Sequence, residues 1–247
     1  MRSVAAKWDR VLIDICTQRD FLDAGAILQV ANREGLLPRL EQVFAWVKRN
    51  GIGVVASVES HRPSEPLAGF PLHCIDGTPG QEKVGFTYVA PSILVEVDNT
   101  LALPPDLREK YHQLIFRKRA REVLSNPKAD RFLTQLESRE FIILGVGLER
   151  AIKTLALGLL ARHKSVTVVS DACGYWSAAD SDLALRQLAA KGIKVVTADE
   201  LTAPPPEPAN GRLLQRRPIL SCRGTRKHAP DLDDEERPRR RRTGTKR

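Results

Sequence analysis

His73-Cys74-Ile75-Asp76-Gly77-Thr78-Pro79-Gly80 is a stretch in which two glycines and a proline fall within four residues. Such punctuation forces turns and excludes a regular helix or an interior strand. The stretch lies inside a longer segment, Glu59 to Thr87, rich in Pro, Gly and His, which reads as a functional loop carried by a rigid scaffold. The apolar run Ile52 to Val58 precedes that loop, and two short runs, Ile93 to Val97 and Gln113 to Arg117, follow it; all three have strand length.

Outward from there, apolar runs alternate with stretches of helical period, the pattern of parallel βαβ units. Val11 to Ile15 is a first buried strand. Leu36, Leu37, Leu40, Val43, Phe44 and Val47 recur at i, i+3, i+4 spacing and predict an amphipathic helix ending at Asn50-Gly51. A helix starting near Asn126-Pro127 leads into the strand Phe141 to Val146. Glu149 to Arg162 is helical, with Ile152, Leu155, Ala156 and Leu159 on one face. Val166 to Val169 is a strand, Ser181 to Lys191 a helix and Ile193 to Thr197 the last strand. The pattern stops after Leu201, so residues 1–202 are expected to form one domain.

The remainder, 203–247, opens with Ala203-Pro204-Pro205-Pro206-Glu207-Pro208, a stiff linker by composition, and ends in an acidic cluster, Asp231 to Glu236, and a basic one, Arg237 to Arg242. It offers too little apolar surface to offset ordering entropy and is expected to be a disordered Pro/Arg-rich tail. It also carries most of the net charge. Of the chain's +9, the tail accounts for +7, from 13 Lys and Arg against 6 Asp and Glu. The basicity is therefore no argument that the domain binds nucleic acid. The arginine run in the tail keeps that role open for the tail itself, although no aromatic residue interleaves it for base stacking.

No stretch approaches the ~18 apolar residues of a membrane span, and Met1-Arg2-Ser3 is not followed by an apolar signal region. A cytoplasmic protein is expected, without membrane attachment. Cys16, Cys74, Cys173 and Cys222 stand far apart with no C-x-x-C pair, which argues for reduced thiols rather than a zinc knuckle or a disulfide framework.

Three stretches jointly resemble the isochorismatase-like cysteine hydrolases, which include the nicotinamidases. The first is Thr17-Gln18-Arg19-Asp20-Phe21 with Gly25-Ala26, after a buried strand. The second is Glu59-Ser60-His61 with Phe70-Pro71-Leu72-His73-Cys74 and Gly77-Thr78-Pro79-Gly80. The third is Gly145-Val146 at a strand end, followed by a helix and by Ser170-Asp171-Ala172. The resemblance spans roughly residues 8–202. It implies a Rossmann-like three-layer α/β sandwich, a parallel sheet of about six strands with helices on both faces, and a site at the carboxyl ends of the strands.

The family works through an Asp–Lys–Cys triad. The thiolate attacks an amide carbonyl, the Asp carries the proton to the leaving group, the Lys steadies the charge, and two backbone N–H groups bind the oxyanion. Carried over position by position, the Lys matches Lys118. The nucleophile, five residues after the Gly-Val pair, falls on Ala151, which has no nucleophilic atom. The Asp, two residues before Gln18, falls on Cys16. Asp14, two residues earlier on the strand, fills that role only if a bulge moves it about 6–7 Å. Gly147 and Ala151 are the expected oxyanion donors, through their backbones. In the nicotinamidase branch an Asp and two His hold a metal; Glu59, His61 and His73 match those places and imply one divalent ion such as zinc.

Two functional readings follow from the resemblance. One is a catalytically impaired or pseudoenzyme module that binds a small-molecule ligand, with a homo-oligomer among its expected states. The alternative is an active amide hydrolase with displaced chemistry, using Cys16 as nucleophile or a metal-activated water. The bland reading of Cys16 is a buried, inert thiol.

Overall fold

Every residue of the Val11-Leu12-Ile13-Asp14-Ile15 run is buried, which is what a strand covered on both faces requires. It forms β1 (Arg10–Ile15), the centre of a seven-stranded sheet in a computed structural model that describes residues 7–65, 67, 69–98 and 100–204. The other strands are β2 (Gly53–Glu59), β3 (Ser92–Val95), β4 (Gln113–Lys118), β5 (Glu140–Val146), β6 (Val166–Gly174) and β7 (Lys194–Val196). All pairings are parallel, in the order β3-β4-β2-β1-β5-β6-β7. The sheet thus has seven strands where the resemblance implied about six; the Rossmann-like α/β class holds. β3 and β7 are its short edge strands.

Strand order reverses at β1, which pairs β2 on one side and β5 on the other. In open α/β sheets that switch point opens a crevice beyond the carboxyl ends of the strands. A close contact beside it explains one residue of the Gly145-Val146 pair. Gly145 has φ 122°, and a Cβ there would stand 2.1 Å from the Ile15 carbonyl, so only glycine lets β5 approach β1 at this end.

The helices form where the apolar period placed them. Arg33–Asn50 buries Leu36, Leu40, Val43, Phe44 and Val47 and stops at Gly51, which takes a left-handed conformation. Pro127–Gln135 begins at Asn126, whose side chain accepts the N–H groups of Lys128 and Ala129. The same Asn126 donates to the Arg117 carbonyl at 2.7 Å and so fixes the end of β4. After β5 the chain makes one π-helical turn, Leu148–Ile152, before the α-helix Lys153–Ala161. Ala178–Ala190 starts three residues before the expected Ser181, because Ser177 caps it. The last helix is Ala198–Thr202. Among the described residues no helix is long and apolar enough to cross a membrane. The expected disordered tail lies, from residue 205 onward, outside the described residues.

Candidate functional site

Glu59 is the last residue of β2 and Lys118 the last of β4, and the two are register partners, so both side chains stand on one face of the sheet. Cys16 follows β1 with φ 52°, a left-handed conformation uncommon outside glycine. That turn brings its Sγ to 3.8 Å from both Ser57 Oγ and Glu59 Oε1. Asp14 does not accompany it. Simple alternation expects residues 14 and 16 to share a face, but the positive φ breaks the alternation. The Asp14 carboxylate instead accepts bonds from Thr17 Oγ1 (3.0 Å) and from Lys83 Nζ, away from the cavity described below. Cys16, just beyond β1, and not Asp14 within it, faces Lys118 and Glu59.

The loop that opened the sequence argument folds back over these strand ends. Gln18 clamps the end of β2: its amide donates to the Glu59 carbonyl (2.9 Å) and accepts the Glu59 N–H (2.7 Å), and it also donates to the Gln81 carbonyl (2.8 Å). His61 N–H donates to the Cys74 carbonyl, and Asp76 N–H to the His61 carbonyl, so the two histidine-bearing segments run side by side. Asp20 receives the Cys74 N–H at 2.6 Å. A Cβ at Gly80 would sit about 2.1 Å from that Asp20 carboxylate, which explains the final glycine of the Gly-Thr-Pro-Gly turn.

Charge in the site is organised around Glu59. One carboxylate oxygen accepts from Lys118 Nζ at 2.7 Å; the other lies 3.0 Å from His73 Nε2 and 3.3 Å from His61 Nε2. Burial by itself would raise the Glu59 carboxyl, but Lys118 and the two histidines outweigh it and hold the group well below the ordinary carboxylate range. Lys118 is 1% exposed, and its other donors reach the Ala120 and Arg121 carbonyls at 3.2 and 2.8 Å. Burial lowers its ammonium, yet the facing Cys16 and Glu59 raise it further, so it stays charged. Burial pushes the Cys16 thiol up to about 11, against the opposing pull of Lys118. The thiol is therefore protonated at neutral pH.

One donor atom each from Glu59, His61 and His73 lies within 4.8 Å of the others, a cluster a single divalent ion would fit. His73 Nδ1 is 2.7 Å from the Pro71 carbonyl, the outer contact that orients a metal-binding imidazole and leaves Nε2 facing inward. His61 Nδ1 is buried without a hydrogen bond, 3.5 Å from Glu65. The donor set is thus chemically suited to zinc, with one Glu59 oxygen facing the histidines and the other held by Lys118.

These groups form one end of a cavity of about 190 Å³ whose walls include Phe21, Phe70, Trp176, Gly147 and Ala151. Ala151, on the π-helical turn, is 4% exposed and presents only a methyl group. Gly147 differs from expectation: its N–H donates to the Gly174 carbonyl at 2.8 Å, so it is not directed at an oxyanion. Among the cavity residues that no motif marks are three arginines, Arg119, Arg121 and Arg150. Two of them follow Lys118 in what looks like an ordinary solvated basic run, and nothing in their spacing marks them.

The sheet agrees with those of known proteins. The pyrazinamidase of Pyrococcus horikoshii, solved in complex with zinc, superimposes with TM-score 0.61 and 24% identity, over 76% of this chain and 99% of its own. An isochorismatase-like hydrolase from Alkaliphilus metalliredigens gives TM-score 0.63 and 21% identity over 78% and 97%. The nicotinamidase of Bacillus subtilis gives 0.61 and 17% over 76% and 99%. At such identities these likenesses establish the fold. No curated protein matches the sequence. Residues 11–200, however, match the model of the Isochorismatase domain, which covers most of the chain; the chain belongs to the isochorismatase family.

Proposed function

We infer that this family member binds a small molecule in the cavity bounded by Cys16, Glu59, His73 and Ala151, and that it is impaired in the family's cysteine hydrolysis. The observation that carries the reading is Ala151: the residue aligned with the family nucleophile lines the cavity with a methyl group. The residue aligned with the family's acid, Cys16, supports it, since a thiol that ionises only near pH 11 is a poor proton acceptor at neutral pH. Ammonia release from nicotinamide and simple amides should stay at background for the full chain. Turnover that rises with enzyme concentration and disappears in Lys118→Ala would overturn the reading.

A second reading, an active amide hydrolase with displaced chemistry, draws on the convergence of Glu59, His61 and His73. A divalent ion held by these three residues would supply Lewis-acid polarisation or an activated water. This chain's own residues contribute the ligand set, the buried ammonium of Lys118 that neutralises Glu59, and the aromatic side chains Phe21, Phe70 and Trp176 that wall the cavity.

A further inference from the structure

Glu59 holds one negative charge and faces two claims on it. Oε1 takes the Lys118 ammonium at 2.7 Å, while Oε2 faces His73 Nε2 and His61 Nε2 at 3.0 and 3.3 Å. A divalent ion held by Glu59, His61 and His73 would therefore share a single carboxylate with Lys118. Among the described residues no other carboxylate lies within 4.0 Å of Lys118, whose remaining bonds go to the neutral carbonyls of Ala120 and Arg121. The nearby Cys16 thiol, 3.8 Å from Oε1, carries its proton and adds no charge.

The surroundings do not relieve the contest. Lys118 is 1% exposed and Glu59 8%, so little water screens one cation from the other. As metal ligands the two histidines are neutral. The cavity beside them is lined by two carboxylates, Glu59 and Glu65, against three guanidinium groups, Arg119, Arg121 and Arg150. A dication brought there adds to charge that is already positive. Because the two oxygens of Glu59 point to different partners, both cations can be held at once. The contest is electrostatic, and each cation weakens the hold on the other.

We propose that Lys118 is the built-in cation of this site: it answers the charge of Glu59 without a metal and holds down the affinity for divalent ions. The proposal rests on the reading of Glu59, His61 and His73 as a ligand set, and gives Lys118 the task of setting its affinity. A carboxylate this buried is stable only with a cation beside it. With Lys118 in that place the fold does not depend on metal, and the lysine has a task that needs no nucleophile at position 151. It acts through Glu59, by charge rather than by shape.

Zinc titration of the chelator-stripped full chain against a chromogenic zinc indicator, paired with thermal melts, tests it in wild type, Lys118→Met and Lys118→Arg. Methionine keeps the apolar bulk without the charge, and arginine keeps the charge. Lys118→Met should melt lower than wild type without zinc, bind zinc about tenfold or more tightly, and gain more in melting temperature when zinc is added. Lys118→Arg should bind zinc more like wild type than like Lys118→Met. Adding His73→Ala to Lys118→Met should abolish the gain. A Lys118→Met chain that folds only with zinc supports the proposal, since the metal has then replaced the ammonium. If it does not fold even with zinc, Lys118→Gln, uncharged but still a donor, takes its place in the same comparison. Zinc affinity unchanged or weakened in the uncharged variant overturns the proposal. So does a gain that survives His73→Ala, or one that Lys118→Arg shares, because packing would then be its cause. No zinc binding by wild type or uncharged variant removes the ligand-set reading itself, and the proposal with it.

Discussion

Lys118 and Glu59 end adjacent parallel strands in register and meet at 2.7 Å, with both side chains withdrawn from solvent. In the family the lysine is served by a carboxylate on the first strand. The sequence resemblance puts Cys16 at that position, and in the structure the carboxylate that neutralises Lys118 comes from Glu59, the residue also poised between two histidines. The extra methylene of Glu relative to Asp lets one side chain reach both. The pairing makes Glu59 the electrostatic keystone of the site, which leads to a first prediction.

Glu59→Gln should leave a buried ammonium without its counter-ion and lower stability by about 3–5 kcal/mol. Glu59→Gln with Lys118→Met should recover much of that loss. Because the Glu59 carboxyl sits well below its unfolded value, its contribution is fully present above about pH 4 and is lost as pH falls through the lower folded value. The gap between wild type and variant in urea titrations should therefore narrow in acid. A loss under 1 kcal/mol at pH 7 would mean the pair is solvated.

Cys16 should resist alkylation in the native protein. A thiol that ionises near pH 11 exposes almost no thiolate at pH 7, and Cys16 is 2% exposed. Iodoacetamide followed by peptide mass spectrometry should find Cys16 modified only after unfolding, or slowly and with a rate that climbs about tenfold per pH unit up to pH 10. Rapid, site-selective labelling at pH 7 would contradict the protonated thiol and favour a nucleophilic role.

Protein purified without chelator should carry about one divalent ion per chain if Glu59, His61 and His73 act together, and adding zinc to stripped protein should raise the melting temperature. His73→Ala should remove both effects while the fold persists by circular dichroism. Elemental analysis showing no metal, together with an unmoved melt, would leave the cluster as a hydrogen-bond network around Glu59.

The fold was legible because strands buried on both faces and helices with one apolar face leave periods that a reader can count. Leu36 to Val47 and Val11 to Ile15 are examples. The Gly-Thr-Pro-Gly turn was legible as well, since Gly80 answers a local steric demand from Asp20. What the sequence concealed are contacts made by tertiary placement. The face taken by Cys16 depends on one left-handed φ angle that its neighbours do not announce. The partner of Asp14 is Lys83, 69 residues away in a loop. Gly147 spends its N–H on Gly174, a strand residue whose distance no spacing rule predicts. Arg121 lies in the loop after β4 and Arg150 on the π-helical turn after β5, and only the fold brings both to Phe70.

Restoring the family's chemistry is the most demanding prediction. Ala151→Cys alone should recover little nicotinamide hydrolysis, because no carboxylate stands where the new thiol's proton must go. Cys16→Asp supplies one. Cys16 Sγ is already 3.8 Å from Glu59 Oε1 and faces Lys118, so an Asp there would share the ammonium with Glu59. Two carboxylates around one lysine raise the proton affinity of the pair, which suits a general base. Since base catalysis is typically worth ~10²–10⁴-fold and triad members act as a unit, Ala151→Cys with Cys16→Asp should exceed Ala151→Cys by at least about tenfold. Adding Glu59→Asp, which shortens the competing side chain and frees Lys118 for the new base, should raise activity again. Ammonia release measures the rates, and thermal melts establish that each variant folds. If Ala151→Cys alone matches the double variant, the missing carboxylate is not what silences the site. If Ala151→Cys is active but loses that activity with Asp14→Ala, the base is Asp14 after all, acting from its pocket with Lys83.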